Sequence, residues 1–234
     1  MDQRVSFGLK FQSKLQGSLR RCVHFFRWFP VRGRRLLRHF TALRKQSPGR
    51  WLIELMVMFF DLLGLAEFYE TLADWIKWNT RPLTTEERKI GRAIFGESLD
   101  WERVRIDNRA YLGPRQYQIC YVSGYTINSW GEMPGALLVH ELTHVWQFHH
   151  FGLAYIPRAL RAYHSDIGYD YGGAAALERV RTGGGQLTDF NYEQQGDIIA
   201  DYYRLRIGRP PQWGFAGMDA LPVYEYFLKD LQRS

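Results

Sequence analysis

Two histidines one helical turn apart constrain this chain more than any other feature. The sequence reads His140-Glu141-Leu142-Thr143-His144, and on a helix positions i and i+4 lie on one face. Pro134 before this motif and Gly152 after it are typical of a helix start and a helix stop. The pattern H-E-x-x-H therefore predicts a helix whose two imidazoles hold one zinc ion, with Glu141 as a base beside it. The residues leave open a second interpretation, a core helix with two hydrogen-bonded histidines.

A third zinc ligand must come from elsewhere in the chain, because zinc in a hydrolytic site takes three protein ligands and keeps one open position. His150 has the spacing of a metzincin ligand, but Gln147 stands where that pattern has a glycine that lets the chain leave the helix. If the helix runs on to Phe151, it carries His150 away from His140. His149 and His150 are then expected to be exposed near a helix C-terminus, which favours positive charge.

A later helix offers a better third ligand. Residues 191–207 predict a helix with Asn191 as its cap, and three acids recur in it at i, i+4 and i+8: Glu193, Asp197 and Asp201. One interpretation makes them ordinary surface charges. The other makes Glu193 a zinc ligand and Asp197 the acceptor of the free ring N–H of a zinc-bound histidine, which fixes the tautomer of that histidine.

Gly196 supports the metal interpretation. A glycine inside a helix costs about 1 kcal/mol against alanine. It lies at i+3 from Glu193, on the same face, so the missing side chain would let this helix approach the His140 helix closely.

At these residues the chain resembles the gluzincin metallopeptidases, the thermolysin-like group, whose pattern is H-E-x-x-H followed later by E-x-x-x-D. The residues that match are His140, Glu141, His144, Glu193 and Asp197. The resemblance implies a zinc metalloendopeptidase, a hydrolase that cleaves a peptide or protein substrate with Glu141 as general base. It also implies Tyr or His donors to the substrate oxygen, for which the candidates are His164, Tyr171 and Tyr202, besides Tyr163 and Tyr169.

A longer stretch resembles little-characterised bacterial proteins. It runs from Arg81-Pro82-Leu83-Thr84 through the H-E-x-x-H motif to Asp201-Tyr202-Tyr203. Some of those proteins are Vgr-related, through association with type VI secretion. This resemblance carries no expectation about the substrate.

Positive charge is concentrated at the N-terminus. Residues 1–50 hold 13 basic residues and one acid, which gives +12, whereas the rest holds 31 − 13 = 18 basic and 24 − 1 = 23 acidic residues, which gives −5. Bulky apolar residues lie between the arginines, which include Arg20, Arg21, Arg27, Arg32, Arg34, Arg35, Arg38, Arg44 and Arg50. This mixture suits an anionic membrane surface, reached through residues 1–66, or an arm that docks on the acidic body. Nucleic acid, bound through phosphates and stacking, is the least favoured partner.

The segment Trp51–Leu65 is apolar but short, and it carries Glu54 and Asp61. A spanning helix needs about 20 apolar residues, so we expect a buried or interfacial helix. The first 20 residues show no standard secretory signal, which leaves a cytoplasmic or peripheral membrane location, while export by a dedicated secretion system would leave no such mark. Cys22 and Cys120 are expected to be free thiols.

The expected fold is α+β and mostly helical. Residues 1–80 form a basic, aromatic-rich helical extension, whose pattern continues to Trp78, and residues 81–234 form a minimal zincin-like domain. Its predicted elements are a capping box at Thr84-x-x-Glu87 that opens a helix to Phe95, strands at 101–106 and 116–128 before the motif helix, loops over 152–190 with one short helix at Ala174–Val180, and a tail helix at Asp219–Leu231. The competing function is that of a non-catalytic zincin-fold protein that binds a membrane surface or a protein partner through its extension.

Overall fold

The computed structural model describes residues 3–41, 47–77, 79–111 and 113–232. The chain divides into two compact units. The N-terminal unit comprises Met1–Thr80 with Gly152–Ala154, and the C-terminal unit comprises Arg81–Phe151 with Tyr155–Ser234. Helices dominate, and the described strands form one small sheet, which confirms the α+β, mostly helical class.

Three helices build the N-terminal unit. They are α1 Gln3–Thr41, α2 Pro48–Leu62 and α3 Leu65–Ile76. α2 and α3 run back along α1, since the start of α2 contacts the end of α1 and the end of α3 contacts its first half. Two residues of the sequence predictions, Arg44 and Trp78, lie outside the described residues.

Gly64 makes the break between α2 and α3. It adopts a left-handed conformation with φ of 75°, which glycine enters without the steric penalty of a side chain. A Cβ at this position would also lie 2.8 Å from the ring of Phe25 on α1. The glycine therefore lets the chain bend between α2 and α3 while both helices stay packed against α1. These helices form a helical hairpin, with α1 as its first arm and α2 and α3 as its second.

Seven helices and four short strands form the described part of the C-terminal unit. The helices are α4 Thr85–Phe95, α5 Pro114–Tyr117, α6 Gly135–Phe151, α7 Tyr155–Tyr163, α8 Gly173–Thr182, α9 Tyr192–Arg206 and α10 Leu221–Gln232. The strands are β1 Arg81–Pro82, β2 Arg105–Asp107, β3 Tyr121–Ser123 and β4 Thr126–Asn128.

The strands form a mixed sheet that precedes α6 in the chain. Their order is β1-β2-β4-β3, with β2 parallel to β4 and the other neighbours antiparallel. Ile106 and Ile127 face each other in register, and both are fully buried. β1 and β3 are the edges of this sheet.

The predicted strands are too long. Gly113-Pro114, between the two predicted strands, opens the short helix α5. Proline is preorganised for a first helical position, and the Gln116 side-chain oxygen accepts from the Gly113 N–H. The predicted strand at 116–128 is instead a hairpin, since Gly124 has a φ of 64° and turns the chain between β3 and β4. Residues 101–103 form a turn that leads into β2.

Residues 152–190 hold more helix than the sequence predicts. α8 confirms the expected helix at Ala174–Val180, but α7 lies in a stretch interpreted as loop. Pro157 falls in the first turn of α7, where its missing N–H breaks no helical hydrogen bond.

α6 is the central element of the C-terminal unit. All side chains from Leu138 to Phe148 are buried, so the helix is enclosed on every side. α4 packs closely on it at Gly91, where a Cβ would lie 3.0 Å from Leu142. From the other end of the chain, α10 accepts a hydrogen bond at the Leu231 carbonyl from the Trp146 indole at 3.2 Å. A helix so enclosed can carry polar groups only if each finds a partner.

The capping box at Thr84 is confirmed and allows a direct test. The Thr84 hydroxyl accepts from the Glu87 N–H at 3.2 Å, and the Glu87 carboxylate accepts from the Thr84 N–H at 2.7 Å. We expect Thr84→Ala to lower the free energy of unfolding by about 1 kcal/mol, because it leaves an N-terminal N–H of α4 without its acceptor. Chemical denaturation followed by tryptophan fluorescence measures this change. Thr85→Ala, at the exposed neighbouring position, is the control, and an equally large effect there would contradict the capping role.

Candidate metal centre

Helices α6 and α9 pack side by side and bring the two motifs together. His140, Glu141 and His144 come from α6, and Glu193 and Asp197 come from α9. The capping box at Asn191, with Gln194, fixes the start of α9 directly before Glu193. Because i and i+4 positions share a face, each helix presents a pair of these side chains to the other.

Three side chains converge on one point in the interior. His140 Nε2 lies 3.1 Å from His144 Nε2, and the Glu193 Oε2 atom lies 3.3 Å from each of them. All three residues are buried, and their potential ligand atoms lie within 4.8 Å of one another. This group can hold a metal ion.

The hydrogen bonds of the outer ring nitrogens show why a cation fits here. His140 Nδ1 lies 2.8 Å from Asp197 Oδ1, and His144 Nδ1 lies 2.8 Å from the Gln147 Oε1 atom. Both partners are acceptors, so each Nδ1 carries the proton and donates it. In the neutral tautomers the two Nε2 lone pairs then face each other and the Glu193 carboxylate. Three such electron-pair donors repel one another unless positive charge lies between them, and two imidazoles with one carboxylate are a donor set that zinc accepts.

Electrostatics in this pocket favour positive charge. Burial opposes a charge on His140, but the carboxylates of Asp197 and Glu193 outweigh it and raise its pKa to about 10. Burial also opposes a charge on His144, and there the charge of Glu193 raises the pKa. The pKa of Glu193 is correspondingly lowered by the two histidines, against the effect of its burial. A metal ion and protons therefore compete for the same place.

Glu141 lies beside the group of His140, His144 and Glu193, with one carboxylate oxygen that accepts no hydrogen bond from the described part of the chain. Its side chain is buried, and its Oε2 atom has no hydrogen-bond partner among the described residues. Burial raises the pKa of Glu141. Burial and the nearby Glu141 charge together raise the pKa of the Cys120 thiol to about 12, so residue 120, just before β3, is close to this carboxylate. Cys120 and the exposed Cys22 are both free thiols, as predicted.

Gly196 brings the two helices into contact at the site, as the sequence predicts. A Cβ on residue 196 would lie 2.7 Å from both Cε1 and Nδ1 of the His140 ring. The ring thus occupies the space that any side chain at this position would need.

Gln147 has a role that the sequence analysis does not assign. Its amide donates to the Tyr192 carbonyl at 3.0 Å and to Gln195 Oε1 at 2.9 Å, so its oxygen is directed at His144. Gln195 in turn donates to the Phe190 carbonyl at 2.8 Å, which sets its own orientation. This chain of amides ends on backbone carbonyls and fixes the tautomer of His144. An amide side chain three residues after His144, on the same face of the helix, is the sequence signal that could have indicated this role of Gln147.

All three acids of α9 are buried, so the interpretation of them as surface charges is wrong. Asp201 accepts hydrogen bonds from the backbone N–H groups of Gln212 at 2.7 Å and Trp213 at 3.2 Å. It thereby holds the segment after α9 in place. The Trp213 indole N–H then donates to the second oxygen of Asp197. Sequence reasoning missed Trp213, because the contact depends on how that segment folds back.

The candidate oxyanion donors are placed at different distances from the site. The Tyr171 hydroxyl donates to Asp201 at 2.7 Å and pairs with Tyr224, while exposed His164 bonds the Leu160 carbonyl. The hydroxyl of Tyr202 interacts with Arg206 and Glu225. Rings nearer to the metal group are those of Tyr169, 6.0 Å from the His140 ring, and Tyr155, 5.7 Å from the His144 ring, measured between centroids.

α6 runs without interruption to Phe151, which confirms that His150 is carried away from His140. His149 and His150 are half-buried rather than exposed. Aromatic neighbours account for this difference: His149 pairs with the Tyr125 hydroxyl, and the ring of His150 lies 4.6 Å from that of Trp146.

Comparisons with known proteins show a partial resemblance. No protein-family model matches the chain, and no solved structure gives a significant match. Part of the chain is similar to the type VI secretion system spike protein VgrG2b of Pseudomonas aeruginosa, with 29% identity over 136 residues. The match covers 53% of this chain and 13% of the length of that protein.

Substitution of Gly196 tests the close approach of the two helices. Gly196→Ala gains about 1 kcal/mol of helix propensity, but its Cβ displaces the His140 imidazole. We expect the zinc affinity to fall about tenfold or more, measured by competition with a chromophoric chelator. Gly33→Ala is the control, because a Cβ there meets nothing within 4 Å. Wild-type zinc affinity in Gly196→Ala would contradict the proposed geometry.

Gln147→Leu tests the amide chain behind His144. Leucine has a similar volume but cannot accept the His144 Nδ1–H, so the tautomer is no longer fixed. We expect zinc affinity to fall by about 10- to 100-fold, with the secondary structure retained in circular dichroism. Gln16→Leu, at an exposed position of α1, should bind zinc as the wild type does. Equal affinities in the two variants would show that Gln147 has no positioning role.

Proposed function

We propose that the chain is a zinc-dependent metallopeptidase whose metal ligands are His140, His144 and Glu193. The observation that carries this proposal is the convergence of two imidazole Nε2 atoms and a carboxylate oxygen within 3.3 Å, with the unpaired Glu141 oxygen beside them. A structural metal site uses four protein ligands and is closed. Three ligands and an adjacent carboxylate instead favour a site that binds and activates a water molecule.

Each residue has a separate task in this proposal. Zinc supplies Lewis-acid chemistry, since it lowers the pKa of water and polarises a carbonyl group. Glu141 accepts the proton of the attacking water and passes it to the leaving amine, which is general acid–base work. Asp197 and Gln147 hold the two imidazoles in the tautomer that offers Nε2. We assign Tyr169, whose ring centroid lies 6.0 Å from that of His140, as the donor of a phenol hydrogen bond to the substrate oxygen.

A peptide substrate is supported by the sheet as well as by the metal group. β3 is an edge strand, and it begins directly after Cys120. Burial and the Glu141 charge raise the pKa of the Cys120 thiol, so this strand begins near the Glu141 carboxylate. An extended peptide that adds to this edge would gain backbone hydrogen bonds. It would run past the carboxylate that acts as the base.

Glu141→Gln separates metal binding from catalysis. The variant keeps the three ligands, so zinc content should match the wild type, whereas peptide cleavage should fall by about 10²- to 10⁴-fold because no general base remains. Cleavage of a peptide library followed by mass spectrometry, with metal analysis of the same samples, measures both quantities.

Glu132→Gln changes an exposed carboxylate of the same unit and serves as the control. Full peptidase activity in Glu141→Gln would exclude the assigned base. A zinc-loaded wild type that cleaves no peptide would favour the non-catalytic alternative.

A further inference from the structure

The exposed side chains of α2 and α3 are apolar without exception from residue 51 to residue 76. Every residue in this range that is exposed carries an aliphatic or aromatic side chain. They are Leu52, Ile53, Met56, Phe59, Phe60, Leu63, Leu65, Phe68, Tyr69, Leu72 and Ile76. A helix of a soluble domain normally shows a polar face to water, and this arm of the hairpin has none.

The interior of the same unit is polar. Its buried charged and polar residues are Lys14, Arg21, Arg32, His39, Glu54, Asp61, Glu67 and Glu70, whereas its buried apolar residues, among those described, are the small Ala66 and Ala154. The usual distribution, with apolar side chains inside and charges outside, is reversed. The larger apolar side chains of this unit are at most half-buried among the described residues, so the unit gains less from the hydrophobic effect in water than a domain with an apolar core does.

The buried charges pair across the two arms of the hairpin. Arg32 of α1 makes two hydrogen bonds to the Glu67 carboxylate, at 3.0 and 2.5 Å. His24 reaches the same carboxylate at 3.0 Å, and Arg21 reaches Asp74 at 2.9 Å. Paired charges of this kind are tolerated away from water, while single ones are not. The hairpin is thus polar where its arms meet and apolar where it faces its surroundings.

α1 adds a third kind of face. An apolar stripe lies along its exposed side at Phe11, Leu15, Leu19, Phe26 and Leu37, whose separations of 4, 7 and 11 residues keep them on one face of the helix. Beside it runs a polar, mostly basic stripe of exposed residues at Gln12, Gln16, Arg20, Arg27, Arg34 and Arg38. Adjacent apolar and basic faces are the pattern of a helix that lies in the plane of a membrane interface.

The surroundings that fit these faces are those of an anionic lipid bilayer. Among the described residues, no helix is both long and apolar enough to cross a membrane, so the hairpin would lie in the plane of the bilayer. A second copy of the chain would bring two segments of charge +12 together, which repel each other. Lipid acyl chains can cover the apolar faces of all three helices while lipid phosphates meet the arginines of α1.

We propose that the N-terminal unit embeds in one leaflet of an anionic membrane, with the outer faces of α2 and α3 among the acyl chains and the basic stripe of α1 at the phosphates. The proposal is independent of the metal centre, which lies in the other unit. It makes the N-terminal unit the membrane anchor of the C-terminal one.

Flotation of the full chain with vesicles tests this proposal. The wild type should float with vesicles that contain phosphatidylglycerol, and more weakly with phosphatidylcholine alone. The double variant Leu52→Asp with Phe68→Asp changes side chains that are 60% and 67% exposed, so folding should be unaffected. We expect its partition into vesicles to fall about tenfold or more, because two large apolar groups are replaced by charges.

The matched control carries the same kind of change in the other unit. Tyr117→Asp with Ile167→Asp alters side chains that are 74% and 68% exposed, and it changes the net charge equally. This control should float as the wild type does. Equal loss in both double variants would mean that net charge alone governs binding and would overturn the proposal.

A second measurement reports on the surroundings of α1. Cys22 is an exposed thiol of α1, so an environment-sensitive fluorophore can be attached to it in a Cys120→Ser background. Its emission should shift to shorter wavelength on phosphatidylglycerol vesicles. Unchanged emission would overturn the proposal. A wild type that does not float and is a stable dimer by sedimentation would show that another copy of the chain, not lipid, covers these faces.

Discussion

The contact between Gly196 and the imidazole of His140 is the constraint on which the C-terminal unit depends. With no side chain at residue 196, α9 lies near enough to α6 for a carboxylate of one helix to reach two ring nitrogens of the other. The same approach buries Asp197 and Asp201, which then need partners of their own. Tyr171, Trp213 and the backbone after α9 supply them. A single missing methyl group thus determines much of the polar interior.

The local parts of this arrangement can be predicted from the sequence, and the distant parts cannot. The caps of α4 and α9 depend on residues three apart, and the facing pairs of α6 and α9 depend on helical periodicity, so spacing alone indicates them. Gln147 and Trp213 act through contacts 48 and 16 residues away, with Gln195 and Asp197 respectively. Their roles follow from how the chain returns on itself. The predictions for residues 116–128 and for α7 were wrong for a different reason. Gly124 permits either a strand or a turn, and Pro157 permits either a loop or the first turn of a helix.

The two units differ in where their charged and apolar side chains lie. In the C-terminal unit an apolar core surrounds a small polar group, in which Asp197 and Asp201 each accept hydrogen bonds from named donors. In the N-terminal unit the buried charged groups pair between the arms, beside aromatic contacts such as Phe11 with Trp75, and large apolar side chains face outward. Periodicity in α1 indicates two stripes but not which one lies inside. Glu67, Glu70 and Asp74 of α3 decide which face lies inside, because they pair with Arg21 and Arg32 of α1.

The balance of buried charge favours a cation in the interior of the C-terminal unit. With both histidines neutral, Glu141, Glu193 and Asp197 would place three negative charges in a buried volume. Hydrogen bonds from the Trp213 indole and the His140 ring stabilise Asp197, but no described residue donates to the free oxygen of Glu141. Uncompensated buried charge is strongly destabilising. A proton on His140, His144 or Glu141, or else a divalent ion, therefore completes the core. The ion does so while it leaves both imidazoles in the tautomers that their outer hydrogen bonds impose.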